Sequence, residues 1–286
     1  MKKIKYFVEF LIIIFLLVIF KILGFKLASS LGGLIGRSIG PLFRSKKKIL
    51  SNISKALPEI GEKNTKLIVK KMWENYGRIL SEYMFIKNFR NSKNKKFLTI
   101  EGQGILNELK DSKEPVVFIS GHFNNFELMA MQVEKSGINL AAIYRPLNNI
   151  FLNKIMEKIR TKYICRNQIK KGRSGTRELL KSFKNNYSIA VMIDQRVSES
   201  IKTDFFGHKA STTTIPAQLV KKFGSKIVPI YIERINGVYF KMTISKPVSF
   251  DKESTIEEIT LNLNKWLEKM ILINPGQWIW SHDRWK

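Results

Sequence analysis

The longest hydrophobic run in the chain lies near its start. Residues Phe10 to Phe20 are apolar without a break, and with their neighbours the segment 6–25 reaches the roughly 20 residues that span a bilayer. Its two charged residues, Glu9 and Lys21, lie near the ends of the segment, where they can reach the interface. We therefore predict an anchor helix over 1–26 that spans a membrane, with a helix lying flat in the interface as the alternative. A cleaved signal peptide fits less well, because "KLASSLGG" offers only a poor cleavage site.

Beyond residue 95 the hydrophobic pattern changes its period. Short apolar runs suited to buried strands alternate with amphipathic stretches suited to helices. The predicted strands are Phe97 to Ile100, Val116 to Ser120, Leu140 to Tyr144, Ser188 to Ile193, Ile227 to Ile232 and Val238 to Ser245. The predicted helices are 102–110, 125–136, 150–161, 174–186, 212–223 and 254–273. This alternation predicts an α/β fold, with a mixed central sheet flanked by helices.

Between these two parts the pattern is helical. A turn around Pro58 precedes a long amphipathic helix that we expect to begin at Asn64 or Thr65. The chain therefore divides into an N-terminal anchor helix (1–26), a helical membrane-proximal segment (27–95) and an α/β core (96–286).

Basic residues greatly outnumber acidic ones. The chain has 50 Lys+Arg against 23 Asp+Glu, a formal net charge of +27. Such a charge attracts nucleic acid, anionic lipid head groups or acidic proteins. No basic helix, aromatic RNA-binding block or zinc module supports nucleic acid. More basic residues follow the hydrophobic segment than precede it, which places the main domain in the cytoplasm.

The single cysteine, Cys165, excludes a disulfide framework and Cys-rich zinc sites. We interpret it as an inert core residue rather than a nucleophile.

Polar groups follow three of the predicted strands. Gly121-His122 comes after the strand that ends at Ser120, Asp194 comes after Ile193, and Tyr144-Arg145-Pro146 ends a third strand. Ligands of α/β sheets bind at the carboxyl ends of strands, so we expect these groups at one edge of the sheet.

His122 and Glu127 form a candidate catalytic pair in "SGHFNNFE". With His122 in the strand-to-helix turn and Glu127 at the helix start, the carboxylate could orient the imidazole and leave one nitrogen free as a base. The alternative is purely structural: "NNFE" is also typical of a capping box with Asn124 as N-cap, and His122 would then be a core histidine. The spacing alone favours the structural alternative.

The same octapeptide resembles the H-x4-D/E signature of the glycerolipid acyltransferase superfamily. It is more narrowly similar to the G-H-x-G-N-W-E form of the lipid A biosynthesis (late) acyltransferases, of lauroyl/myristoyl type. His122, Asn125 and Glu127 match, whereas Asn124 replaces the usual Gly and Phe126 the usual Trp. Further blocks resemble that family in the same order: "WENYGRILSE" (73–82), "IYRPLNN" (143–149) with Arg160 after it, "MIDQR" (192–196), which contains Asp194 and Gln195, and "PGQWIWSHDRWK" (275–286).

The resemblance implies a glycerol-3-phosphate acyltransferase-like fold and an enzyme of lipopolysaccharide biosynthesis at the bacterial inner membrane. Its active domain would face the cytoplasm, with a single-pass or monotopic anchor. It would move a fatty acyl group from acyl carrier protein to a hydroxyl of a phosphorylated lipid A precursor that usually bears Kdo sugars. The expected partners are acyl carrier protein, that precursor and anionic membrane lipid, with no nucleic acid, no metal and no cofactor.

Residue roles follow from the same resemblance. We expect His122 as general base, Glu127 as its orienting partner, and Asn125, Arg145, Arg160, Asp194 and Gln195 as substrate-binding residues. Arg145 and Arg160 suit phosphate or oxyanion contacts, and Asp194 could order one of them or bind the acceptor. We expect the tryptophans and His282 of the C-terminal block to pack over the domain or to lie at the interface, not to catalyse.

Three rival interpretations remain open. The acceptor could be another glycolipid or a lysophospholipid, or the chain could be a membrane-tethered polyanion-binding protein. It could also be an inactive family member that serves as a scaffold, although the intact His122 and Glu127 argue against that.

Overall fold

The computed structural model of the chain describes residues 2–196 and 200–285, except for the side chain of Arg173. Its helices are α1 (Lys2–Ile39), α2 (Lys46–Ala56), α3 (Gly61–Glu82), α4 (Ile86–Arg90), α5 (Gln103–Ser112), α6 (Glu127–Lys135), α7 (Ile150–Ile159), α8 (Arg173–Lys184), α9 (Ile215–Phe223) and α10 (Ile256–Ile273). Its strands are β1 (Leu98–Glu101), β2 (Val117–Ser120), β3 (Leu140–Tyr144), β4 (Asn167–Lys170), β5 (Ser188–Met192), β6 (Ser200–Phe205), β7 (His208–Thr213), β8 (Ile227–Asn236) and β9 (Tyr239–Ile244).

Seven of the described strands form one central sheet in the order β1-β9-β8-β2-β5-β3-β4. Only β8 and β9 pair antiparallel, and the other neighbours are parallel. The strands β6 and β7 form a separate antiparallel hairpin. The fold is therefore α/β with a mixed central sheet flanked by helices, as predicted.

The sheet lies between two helical layers. Along β2, Phe118 packs into one core cluster together with α5 and α6, whereas Val117 and Ile119 pack into the other together with α9 and α10. Side chains of a strand alternate between its two faces, so a strand buried on both faces is apolar throughout. That is why the continuous apolar run in the sequence identifies this strand as central.

Helix α1 consists of two segments that meet at Gly24, where the backbone leaves helical geometry (φ 75°, ψ 168°). The second segment, 25–39, packs closely along α3. A Cβ atom on Gly77 would collide with the carbonyl of Gly32, and one on Gly36 would collide with the carbonyl of Trp73. Glycine at these positions lets the two helix backbones come together.

Most predicted elements are present within two or three residues of their expected limits, but some differ. The long helix α3 begins at Gly61, ahead of Asn64 and Thr65. The strands β4, β6 and β7 were not predicted. The expected helix start at residue 212 is wrong, because Thr212 pairs with Ile201 across the hairpin and the helix begins at Ile215. The division at residues 26 and 95 stays a prediction.

Candidate active site

The sheet places His122 and Asp194 side by side. The strands β2 and β5 are parallel neighbours, with Ser120 opposite Met192 in register. The chain leaves both strands at the same edge, so the residues two positions further on come together. The predicted meeting of polar groups at the carboxyl ends of β2 and β5 is present in the structure.

Asp194 binds His122 through both carboxylate oxygens. Its Oδ1 lies 2.7 Å from His122 Nδ1, and its Oδ2 accepts a hydrogen bond from the His122 backbone N–H at 2.6 Å. Trp278 donates its indole N–H to the same Oδ2 at 3.0 Å. The side chain of Asp194 is completely buried. Burial by itself would raise its pKa, but the His122 charge and the donated hydrogen bonds outweigh it and lower the pKa to about 2.

The ionised Asp194 determines the tautomer of His122. A carboxylate only accepts hydrogen bonds, so Nδ1 carries the proton that it donates to Oδ1. The lone pair of the neutral ring is then on Nε2, which lies 3.0 Å from the amide nitrogen of Gln195. The ring is further held by Phe126, whose centroid is 4.6 Å away in an edge-on contact. The site therefore presents a fixed imidazole whose lone pair, on Nε2, faces the amide of Gln195.

Glu127 does not orient His122, which corrects the predicted pairing. Both nitrogens of the His122 ring face other partners, and Glu127 instead accepts from Arg160 Nε at 2.8 Å and Nη2 at 2.6 Å. The reason is geometric: α6 begins at Glu127, so its side chain projects from the first helical turn toward the end of α7. Burial lowers the pKa of Arg160, but the Glu127 charge and the hydrogen bonds outweigh it, so the pKa is raised overall.

Tyr83 lies beside this ion pair. Burial, followed by the charge of Glu127, raises the pKa of its phenol well above the ordinary value. No motif in the sequence indicated Tyr83 separately, although it directly follows the block 73–82.

The loop between β2 and α6 is not a capping box. Asn124 adopts a left-handed backbone conformation (φ 44°) and donates its side-chain amide to the carbonyl of Ile232 at 3.2 Å and to Gln277. Asparagine tolerates that conformation better than most residues other than glycine, so it can occupy this turn in place of the glycine in the family motif.

Asn125 is also completely buried, and its amide donates to Glu82 Oε2 at 3.3 Å. The side chain faces the protein interior in this structure, so its contact with substrate stays a prediction.

A buried ion pair supports this loop from behind. Arg234 donates to both carboxylate oxygens of Glu82, at 2.6 and 3.0 Å, and Ser29 of α1 donates to Glu82 at 2.7 Å. A buried carboxylate is stable only when it is paired and hydrogen-bonded, and these donors meet that need. Neither Glu82 nor Arg234 was a predicted site residue, because nothing in the sequence shows that this helix carboxylate and this strand arginine meet.

The C-terminal block contributes contacts to the site, whereas we expected it only to pack over the domain or to lie at the interface. Trp278 binds Asp194, and His282 Nε2 accepts the backbone N–H of Arg196 at 3.0 Å. The expected packing is present as well, since Trp278 and Trp280 are buried and in contact at 4.8 Å between ring centroids. The ordered position of this block after the "MIDQR" block was the only signal in the sequence.

The two remaining predicted residues differ in placement. Gln195 is half-buried beside His122, whereas Arg145 is exposed just after β3, on the far side of β5 from β2.

Asp194 was expected to order an arginine or bind the acceptor, and this is corrected by its contacts with His122 and Trp278. Cys165 is buried, as expected of a core residue, and burial raises its pKa to about 12.

Comparisons with known proteins agree with the motif. The family model described as bacterial lipid A biosynthesis acyltransferase matches residues 1–286. The lipid A biosynthesis lauroyltransferase of Escherichia coli (strain K12) is 24% identical over 268 residues, covering 92% of this chain and 85% of that protein. The lipid A biosynthesis myristoyltransferase of the same organism is 22% identical over 251 residues, covering 86% and 77%.

Among solved structures, the 1-acyl-sn-glycerophosphate acyltransferase of Thermotoga maritima aligns with a TM-score of 0.42 at 13% identity. The alignment covers 85% of this chain and 99% of that chain. A TM-score of this size does not relate the two folds in detail.

The match over the whole chain defines the class: this is an enzyme, an acyltransferase. The chain belongs to the bacterial lipid A biosynthesis acyltransferase family. It therefore carries out acyl transfer in lipid A biosynthesis, and a lipid A precursor is the substrate that the family implies. The family is associated with membranes. Within the described residues, α1 together with the short turn after it is the one helical region apolar and long enough to cross one.

Proposed function

We propose that this enzyme transfers a fatty acyl group from acyl carrier protein to a hydroxyl of a Kdo-bearing, phosphorylated lipid A precursor. His122 acts as the general base and Asp194, rather than Glu127, as its orienting carboxylate. The observation that carries this proposal is the buried Asp194 carboxylate, which receives both the ring and the backbone N–H of His122. This arrangement is the one by which a carboxylate fixes a catalytic histidine and stabilises its protonated form.

In the chemical step, His122 takes a proton from the acceptor and later passes the same proton to the leaving group. Nε2 of His122 removes the proton from the acceptor hydroxyl while the oxygen attacks the carbonyl carbon of the donor thioester. The tetrahedral intermediate then expels the thiolate of the carrier protein. The imidazolium, paired with Asp194, returns the proton to that sulfur. The products are the new ester and the free thiol of the carrier, so no proton is gained or lost.

Gln195 occupies the position in which the acceptor hydroxyl would have to lie. Its amide approaches Nε2 at 3.0 Å, so an arriving hydroxyl must displace it. We assign the displaced amide a hydrogen bond to the acceptor. Its predicted role in substrate binding follows from this exchange.

The Glu127–Arg160 pair is suited to stabilise the oxyanion of the intermediate. Glu127 holds Nε and Nη2 of Arg160, which fixes the plane of the guanidinium, and we assign the contact with the oxyanion to this fixed cation. Glu127 thus acts through Arg160, and the two residues of the motif, His122 and Glu127, serve different parts of the reaction. Arg145, exposed at the same edge of the sheet, is suited to a phosphate of the acceptor.

The charge of the chain supports the partners we propose. A net charge of +27 attracts acyl carrier protein, which is acidic, as well as the anionic acceptor and anionic lipid. We place the enzyme at the bacterial inner membrane with its active site facing the cytoplasm. We propose that the reaction uses neither metal nor organic cofactor. Among the described side chains, no group of three or more His, Cys, Asp or Glu is arranged to hold a metal ion.

A panel of donors and acceptors tests the proposed reaction. The purified enzyme in detergent is given one of two donors, acyl carrier protein or coenzyme A. Each donor carries a radiolabelled acyl group. The acceptor is a Kdo-bearing lipid A precursor, the same precursor without Kdo, or lysophosphatidic acid. We expect rapid transfer from the carrier protein to the Kdo-bearing precursor. Preferential transfer to lysophosphatidic acid would show that the proposed acceptor is wrong. A preference for acyl coenzyme A would show that the proposed donor is wrong.

A further inference from the structure

The first segment of α1, residues 2–23, exposes a continuous apolar stripe. The stripe consists of Ile4, Val8, Leu11, Phe15, Val18 and Ile22, each between 49% and 79% exposed. Spacings of three and four residues place these side chains on one face of the helix. An exposed apolar surface of this length on a protein marks an interaction site.

The opposite face of the same segment packs against the protein along its length. Near its start, the ring of Phe10 lies 5.8 Å from that of Phe151, between centroids. Further along, Leu17 packs on the main core cluster and Phe20 is part of it, with 2% exposure. The segment therefore lies alongside the domain and does not project from it.

Helix α7 connects the start of α1 to the active site. The amide of Asn149, which caps α7, donates to the carbonyl of Tyr6 at 2.8 Å. The other end of α7 is followed at once by Arg160, which binds Glu127. Because α7 has 10 residues, about 15 Å separates its two ends. The start of α1 and the active site are therefore close neighbours.

This connection conflicts with a membrane-spanning first segment. From residue 6 to the kink at residue 24 the helix rises about 27 Å, close to the roughly 30 Å of a bilayer core. If it spanned the membrane, Tyr6 would lie at the far surface. Helix α7 would then extend from there to the active site through the hydrocarbon. It carries Lys154, Glu157 and Lys158, and Glu157 forms an ion pair with Lys170 at 3.3 Å. Such charges are costly inside a bilayer.

Cations lie at both ends of the segment. Lys2 and Lys3 line a cavity of about 410 Å³ beside Tyr6, and Lys21 and Lys26 flank the kink. Anionic head groups on one membrane surface would match the charges at both ends. We propose that the first segment of α1 lies flat in a single, anionic leaflet, with its outward stripe in the acyl chains and both of its ends on the side of the active site.

This orientation would place the catalytic edge of the sheet at a fixed height above the leaflet that holds the lipid acceptor. Asn149 and Phe151 would maintain it by holding α7 against α1. The inference depends on the membrane association of the family and on these contacts. It is independent of the catalytic roles proposed above.

Spin-label depth measurements test the flat orientation. A nitroxide is attached to Ile4→Cys, Leu11→Cys or Ile22→Cys in the full-length enzyme, reconstituted into vesicles of phosphatidylethanolamine and phosphatidylglycerol. The native Cys165 is buried, and unsubstituted protein controls for its labelling. A label at the exposed Lys47→Cys serves as the water reference. The depth of each label is calculated from the ratio of two relaxation enhancements of the nitroxide. One is caused by oxygen, which concentrates in the bilayer, and the other by a water-soluble nickel complex.

We expect all three labels on the stripe at one shallow depth, within about 5 Å of each other. A spanning helix would instead place the label at residue 11 about 10 Å deeper than the label at residue 4, given the rise per residue. That profile would overturn the inference, even if the enzyme is fully active. Strong spin–spin broadening between copies would also overturn it, because the stripe would then be a contact between two chains.

Discussion

Asp194 is the residue on which the geometry of the site depends most. It is buried without exposure, ionised, and bonded to the ring and backbone of His122 and to the indole of Trp278. Because Asp194 accepts the proton on Nδ1 of the imidazole, Nε2 is the nitrogen that we propose as the base. Changes around Asp194 should therefore affect the chemical step more than substrate binding.

Trp278 should matter because it holds Asp194 in place. Trp278→Phe keeps most of the packing but removes one hydrogen bond to a charged oxygen of Asp194. Such a bond stabilises the carboxylate by about 1.5–3 kcal/mol. We expect kcat to fall about tenfold or more with KM nearly unchanged, measured by steady-state transfer assays.

Trp280→Phe is the matched control for this substitution. Trp280 is equally buried, but its indole donates to the carbonyl of Pro275 instead of to Asp194. Equal losses of kcat in the two variants would mean that Trp278 acts only through packing.

The low pKa of Asp194 predicts a loss of stability in acid. The folded-state pKa of about 2 is below the ordinary value of 3.8, so the ionised form stabilises the fold. This contribution, about 2 kcal/mol, is complete above about pH 4 and is lost as the pH falls through 2. Urea unfolding in mild detergent, compared with Asp194→Asn, should show a free-energy difference that shrinks over this range. A difference that stays constant between pH 5 and pH 2 would contradict it.

The contact between α1 and α3 depends on glycines that bring the two helices together. Gly77 faces the carbonyl of Gly32 so closely that even a methyl group would overlap it. Ser29, one turn earlier on α1, hydrogen-bonds Glu82 at the end of α3, and Glu82 supports the loop between β2 and α6 through Asn125. The packing of these two helices is therefore continuous with the support of the active site.

A single methyl group should disturb this contact. We expect Gly77→Ala to lower the free energy of unfolding by about 1–3 kcal/mol through overpacking. Gly104→Ala is the control, because that helical position has open space around it and should gain about 0.5–1 kcal/mol. Thermal unfolding followed by circular dichroism measures both. A neutral Gly77→Ala would mean that the two helices can separate without cost.

Several elements could be predicted from their hydrophobic period. The apolar run that contains β2 is continuous because both faces of the strand are buried, and the strong amphipathic pattern identified α3 and α10. The hairpin of β6 and β7 was missed because its stability comes from pairing between two strands, which a local pattern does not record. The helix start expected at residue 212 was wrong for the same reason, because Thr212 belongs to the hairpin.

The site was predicted in part. The sequence showed that His122 and Asp194 both follow strands, but it could not show that β2 and β5 are neighbours. The pairing of His122 with Glu127 was inferred from closeness in sequence, whereas the structure pairs His122 with a residue 72 positions away. Long-range contacts such as Asp194–Trp278 and Glu82–Arg234 depend on topology, which neither composition nor spacing reveals.

The net charge of +27 creates an electrostatic field around the entire protein. A protein with such a charge should attract an acidic donor by long-range forces, and these are screened over about 10 Å at 0.1 M salt. In the proposed reaction, this field would affect the encounter with the carrier protein rather than the chemistry at His122.

The donor encounter should therefore depend on salt. We expect KM for acyl carrier protein to rise several-fold between about 50 and 500 mM sodium chloride, while kcat changes little, because screening weakens association only. Initial rates over a range of donor concentrations measure both constants. A KM that does not respond to salt would show that the positive charge serves another partner, such as the membrane.

We propose that His122, oriented by Asp194, is the base that activates the acceptor hydroxyl. The most direct test is transfer of radiolabelled acyl groups from acyl carrier protein to the Kdo-bearing precursor by wild type, His122→Ala and Asp194→Asn. Thermal unfolding must first show that each variant is folded. We expect turnover to fall by at least about 100-fold in both variants, with donor KM nearly unchanged. If folded His122→Ala transfers acyl groups as fast as wild type, the histidine is structural and is not the base.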